Sequence, residues 1–271
     1  MPAGVLAVVL SFAAAAFATA APPPNEPVPR DPSALAQMLA RTDVDLRTAL
    51  DGWRDTRSAP PNDVVLLALY EQRIYRLLVR EPRRERATLA RVPHTLATVA
   101  RDYVHAQREI RRITPPLAVS AIRVGPAKPA AVLLGYYREG ERRFGVPWNV
   151  LAAVNFVESK FGKLRSNSAA GAQGPMQFMP GTWRRYGLGG NVHDPHDAIL
   201  GAANYLRASG APRQLRRALH EYNPSSAYVD AILRYSRHMR ADARQYLALY
   251  CWQVFVKTAR GDRRVTGPGL P

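Results

Sequence analysis

Residues 146–162 read VPWNVLAAVNFVESKFG, an apolar stretch interrupted near its end by one acidic side chain, Glu158. Pro147 stands where a first helical residue belongs, because an N–H at that position would have no partner anyway, and Gly162 supplies a stop. The segment from Pro147 to Phe161 therefore reads as a single helix. Counting back seven and four residues from Glu158, and forward three, reaches Leu151, Val154 and Phe161, so helical geometry puts the carboxyl on their face. It is expected on a buried stripe, near the negative end of the helix dipole. Desolvation and the dipole both disfavour the charged form, so the proton should be held above the ordinary glutamate range. That property suits a general acid. It also fits a structural glutamate paired with one of the many arginines, since ion pairs perturb carboxylates too.

Residues 158–183, ESKFGKLRSNSAAGAQGPMQFMPGTW, and 218–233, ALHEYNPSSAYVDAIL, add context. The first resembles the signature of the lytic transglycosylases with an SLT-type, goose-type lysozyme-like fold, a Glu-Ser followed by Ser-x-x-Gly-Ala-x-Gly-Leu-Met-Gln-x-Met-Pro. Its counterparts here are Glu158, Ser159, Ser168, Gly171, Ala172, Gly174, Met176, Gln177, Met179 and Pro180. The second is similar to the Ala-x-x-Tyr-Asn segment of the same family and brings in Tyr222 and Asn223. The resemblance covers roughly Ala130 to Met239. It departs from the pattern at Pro175, which replaces the usual Leu, at Ser168, one residue farther from the Glu than is common, and at Pro224, directly after Asn223.

The resemblance implies an all-α, lysozyme-like catalytic domain that cleaves peptidoglycan between N-acetylmuramic acid and N-acetylglucosamine without a cofactor. Glu158 would protonate the leaving oxygen and then, as carboxylate, take the proton from the muramyl 6-hydroxyl, leaving a 1,6-anhydro end. The 2-acetamido oxygen of the substrate can assist at C1. By the same resemblance, Ser168, Met176, Gln177, Tyr222 and Asn223 line the saccharide subsites or orient the acid. Read on their own chemistry, Met176 and Tyr222 could be core residues, and Gln177 and Asn223 could serve only backbone groups.

A hydrolytic muramidase would need a second carboxylate to position water. The other candidates in this region are Glu141, Asp194, Asp197, Glu221 and Asp230. Asp194-Pro195-His196-Asp197 fits a helix N-cap with Pro at the first position, which gives both aspartates structural roles. His193 and His196 superficially suggest a metal site, but no further His/Cys cluster completes it, and no metal is expected. A catalytically silent wall-binding protein is the alternative outside enzymes; retention of Glu158, Gln177 and Tyr222 argues against it.

The domain plan is expected as follows. Residues 1–20 read as a signal peptide, an uncharged apolar run ending in Ala18-Thr19-Ala20, with an uncleaved anchor as the alternative because no Lys or Arg precedes the run. A Pro-rich tether (21–32) follows. A helical N-terminal region (33–113) shows no visible chemistry, with Ser33 capping a helix to Trp53, Asn62 or Asp63 capping Val64–Arg80, and Pro82 opening a long segment to Ile113. Its inward candidates are Leu66, Leu69, Tyr70, Ile74, Leu77 and Leu78. The arginines at 83, 84, 86 and 91 read as a solvated helix face. After a linker (114–129), the catalytic region (130–240) is expected as helices over 130–144, 147–161, 174–179, 195–209, 212–222 and 226–240, with a turn after Trp183. A C-terminal extension (241–271) is expected to hold a β-like run over 251–257 and a turn over 259–262, the latter enclosing an Arg-Gly-Asp triplet.

The chain of 271 residues has a net charge of +17, from 38 basic and 21 acidic side chains. Cell-wall polymers or anionic lipid heads would concentrate such a protein. Nucleic acid is not expected, because export to the periplasm or cell wall would separate the chain from it. The single cysteine, Cys251, excludes an internal disulfide and reads as a small buried hydrophobe.

Overall fold

The computed structural model describes residues 20–270, so the apolar N-terminal run and its expected processing lie almost wholly outside the described residues. Among those residues no helix is long and apolar enough to cross a membrane. The fold is all-α but for one hairpin. Helices α1 (Pro32–Gly52), α2 (Asn62–Arg80), α3 (Pro82–Leu89) and α4 (His94–Ile113) form the N-terminal half. Then come α5 (Ala130–Phe144), α6 (Trp148–Ser159), α7 (Pro180–Tyr186), α8 (Pro195–Ala208), α9 (Leu215–Tyr222), α10 (Ser226–Ala241) and α11 (Ala243–Cys251). Strands β1 (Phe255–Thr258) and β2 (Gly261–Arg264) pair antiparallel around a two-residue turn.

Local chemistry explains most boundaries and several departures from expectation. Helix α1 is capped by Asp31, not Ser33, because the Asp31 carboxylate accepts from the amides of Ser33 and Ala34. The segment expected from Pro82 to Ile113 breaks at 90–93, since Pro93 cannot continue a helix and drives the preceding residue out of the α region. Residues 174–179 are not helical but form a tight turn, and α7 begins at Pro180, where a helix had not been expected. Helix α9 starts at Leu215 rather than Pro212. The stretch to Cys251 is helical, so the β-like run is confined to Phe255–Thr258; Cys251 is buried.

Helix α6 sits at the centre, with Val150, Leu151, Ala152, Ala153, Val154 and Phe156 all buried, so it has no solvent face. Helix α10 lies along both α6 and α4, and α2 packs on α4 and α11. An aromatic cluster joins these parts: Phe156 meets Tyr235 at 4.8 Å and Trp252 at 5.8 Å, and Tyr103 meets Tyr235 at 5.2 Å. Each such pair adds about 0.5–1.5 kcal/mol beyond its area burial. Buried Asp102 on α4 is held by Arg234, Arg237 and His238 of α10. A single hydrophobic core therefore runs from Leu35 to Trp252, and helices α2 and α4 are joined through α10, α11 and the aromatic cluster to the central helix that carries Glu158. Of the inward candidates on α2, Leu66 is only half-buried; the others are buried.

Candidate active site

Glu158 occupies the last turn of α6. Past Ser159 the chain leaves the helix through Lys160 (φ 53), Phe161 (φ 62) and Gly162 (φ 82), so the helix stops three residues before the glycine. Two successive non-glycine residues in left-handed conformation store strain of the kind found at functional sites. The Tyr228 hydroxyl, from the first turn of α10, donates to Glu158 Oε1 at 2.7 Å. Burial pushes the Glu158 carboxyl up to about 7, while the Tyr228 hydrogen bond and the charge of Lys160 pull it down. Lys160 is itself pushed down to about 8, chiefly by burial and then by the charge of Arg76, with Glu158 acting in the opposite sense.

The Gly-Pro-Met-Gln motif forms the turn facing this helix end. Gln173 and Phe178 pair at its base through amide–carbonyl hydrogen bonds of 2.9 and 2.8 Å. Gly174, at φ 72, is required, because a Cβ there would lie 1.9 Å from the Val192 carbonyl oxygen. The Pro175 carbonyl accepts from Asn155 Nδ2 (2.8 Å) and Ser159 Oγ (2.5 Å), both on α6. The Met176 carbonyl accepts from the Tyr222 hydroxyl at 2.7 Å. Three side chains from α6 and α9 thus fasten the turn, and Gln177 (φ 49) is left at its exit with its amide on the carbonyls of Gly174 and Ser166.

Glu158 opens into a cavity of about 370 Å³, a size suited to part of an oligosaccharide. Ser168, Gln177 and Asn223 line it with Glu158. Met176 does not: its side chain is fully buried, and it contributes through its backbone. Tyr222 acts on the turn through its hydroxyl and is not part of the lining. Leu151, Val154 and Phe161 are buried as the helical spacing implies, yet none lines the cavity, because a helix buried on all sides has no single apolar stripe. The hydrophobic walls near the acid are instead Phe156, Tyr228, Tyr235 and Trp252.

Sequence reasoning missed Tyr228 and Lys160. Tyr228 lies within the second quoted block, in the first turn of α10 after its Ser225 cap, but nothing in the spacing said which face of α10 meets α6. The far walls of the cavity come from α2, α4 and the hairpin, including Arg76, Arg111 and Asp262. The aspartate of the Arg-Gly-Asp triplet is therefore not only a turn residue: it is nearly buried and paired with both arginines.

Asp194 caps α8, and Asp197 in its first turn ties back the preceding loop. Asp194 accepts from the amides of His196 (2.8 Å) and Asp197 (3.2 Å), and Asp197 accepts from Asn191 N at 2.9 Å. Asp194, His196 and Asp197 bring potential ligand atoms within 4.8 Å of one another, but His196 Nε2 is engaged with Glu139 at 2.9 Å and the group lies off the cavity lining.

Comparison with curated proteins gives no match, and comparison with solved structures gives none. A family model described as "Transglycosylase SLT domain" matches residues 135–243, which run from α5 through α10 to the first residue of α11 and hold Glu158, the fastened turn and Tyr228. Residues 135–243 of this chain are thus a lysozyme-like transglycosylase SLT domain, the domain type of enzymes that act on peptidoglycan.

Proposed function

We propose that the protein is an exported lytic transglycosylase that cleaves the bond between N-acetylmuramic acid and N-acetylglucosamine and leaves 1,6-anhydromuramic acid ends, with Glu158 as the one acid–base residue. The supporting observation is the carboxylate inventory of the cavity. Glu158 and Asp262 are the acidic residues among the described residues that line it, and Asp262 is clamped by Arg76 and Arg111. Asp194, Asp197 and Glu221, candidates for positioning a hydrolytic water, do not line it. A single-acid route needs no second carboxylate.

The chemistry follows from the environment of Glu158. Below about pH 7 the carboxyl is protonated and can donate to the glycosidic oxygen as the C1–O bond breaks. The carboxylate so formed gains from the Tyr228 hydroxyl at 2.7 Å and from the charge of Lys160. It then accepts the proton of the muramyl 6-hydroxyl as that oxygen closes on C1, which restores the acid. Ser168, Gln177 and Asn223 are assigned to hold the saccharide along the cavity; Met176 and Tyr222 are assigned to keep the turn in place.

Digestion of purified peptidoglycan, followed by mass analysis of the products, tests this reading. Non-reducing, borohydride-resistant anhydro ends are expected. Reducing ends alone would replace it with a hydrolytic muramidase, and absence of turnover with a silent wall-binding protein.

A further inference from the structure

The cavity extends beyond the SLT domain, and its outer part has its own chemistry. Arg76 from α2, Arg111 from α4, Lys160 and Lys257 line it against two carboxylates, Glu158 and Asp262. Four cations over two acids leave an excess of two positive charges, or three when Glu158 holds its proton. Asp262 is 8% exposed and takes one contact from each arginine, so most of the five N–H donors on each guanidinium are not spent on it. The Arg76 guanidinium also lies over the Phe255 ring, 4.0 Å from its centre. Burial pushes Arg76 down to about 10; Asp262 opposes this, and the nearby charges of Arg80 and Arg111 add to it. A buried cation this incompletely neutralised favours an added anion.

A second observation points the same way. Gln107 on α4 lines the same cavity, and its Nε2 is buried without a hydrogen-bond partner. An amide donor buried in that state costs free energy unless an acceptor meets it. The compartment is electrostatically joined to the acid, since Lys160 is influenced by both Arg76 and Glu158.

We infer that Arg76, Arg111 and Gln107 form a carboxylate-binding subsite at the outer end of the catalytic cavity, which selects glycan strands carrying acidic substituents over neutral ones. Planar guanidinium forks match a carboxylate. The subsite is built by helices α2 and α4 and the β1–β2 hairpin, outside the matched domain, which gives the N-terminal region a role in substrate choice. The inference rests on the proposed glycan substrate. Two carboxylates of that substrate would fit, the lactyl group of a peptide-free muramyl residue and the carboxylates of an attached stem peptide.

Binding to full-length Glu158→Gln protein, measured by calorimetry, separates these cases. The probes are a neutral chitooligosaccharide, a peptide-free muramyl strand and the same strand with stem peptides, in which the lactyl group is an amide. At least one acidic probe should bind about tenfold tighter than the neutral one, by the worth of a hydrogen bond to a charged group. The tighter of the two identifies the source. Adding Arg111→Gln or Gln107→Leu should cut that preference about tenfold. Should Arg111→Gln unfold through loss of its Asp262 pair, Gln107→Leu decides, because the amide nitrogen it removes has no hydrogen-bond partner in the structure. Equal binding of all three probes would overturn the subsite and leave the glycan reading standing, as would variants that keep the full preference. Binding of none would overturn both.

Discussion

Replacing Tyr228 by phenylalanine removes one atom from the site and should move the pH dependence of the reaction in a defined direction. The hydroxyl donates to Glu158 Oε1 at 2.7 Å, and the ring, 2% exposed, keeps its packing in the variant. A hydrogen bond to a charged group contributes about 1.5–3 kcal/mol, and one to a neutral carboxyl about 1 kcal/mol, so the carboxylate is favoured by about 0.5–2 kcal/mol. At about 1.4 kcal/mol per pH unit, its loss raises the proton affinity of Glu158 by about one unit. With Glu158 as the proposed acid and its carboxyl pushed up to about 7, the alkaline limb of turnover is expected there. In Tyr228→Phe the limb should lie about one unit higher, by the same conversion. The plateau rate should fall as well, because the returning base is less stabilised. The assay is kcat/KM on soluble glycan strands across pH, with melting temperature as a control for folding. A limb that stays in place or moves to lower pH would refute the assignment of Tyr228 as the group that steadies the ionised acid.

Glu158→Gln should abolish turnover, by about a thousandfold or more, since the amide can neither give nor take the proton. The same variant tests the proton in the fold: the native carboxyl holds it to about 7 against 4.5 for the unperturbed group, so native stability falls as pH rises through that window. Glu158→Gln should therefore melt above wild type at pH 8, by an equivalent of about 3 kcal/mol, and not at pH 4; equal melting at pH 8 would contradict the buried-acid reading. At Asp102, burial acts to raise the carboxyl, but His238, Arg237 and Arg234 more than offset it and hold it below the usual range. Asp102→Asn should cost about 3 kcal/mol near neutral pH, and the wild-type advantage should vanish as pH falls through the depressed carboxylate range, in urea titrations at several pH values. Sedimentation with intact wall material should decline as salt rises, because attraction by the net +17 is screened over roughly 8–10 Å at physiological ionic strength; binding unchanged by salt would remove charge from the account of localisation.

The residues that could be read from the chain alone were those whose role is set by short-range covalent order. Glu158 near the end of an apolar helix, the Asp194 cap and the all-α class depend on helical period and capping chemistry, and these are local. Helix ends were misjudged where a neighbour overrode propensity: Lys160 and Phe161 take left-handed conformations because the chain must turn away from the buried end of α6. The helix expected at 174–179 gave way to a turn because Asn155, Ser159 and Tyr222 claim its carbonyls. Which side chains meet Glu158 was decided by tertiary packing. Tyr228 is 70 residues away along the chain, and Arg76, Gln107 and Asp262 reach the same cavity from three separate elements. Periodicity identifies which face of a helix is buried, but not which other helix will bury it. The identity of the proposed acid therefore comes from the sequence, while its proton affinity and the company it keeps belong to the fold, because desolvation and charge act through space.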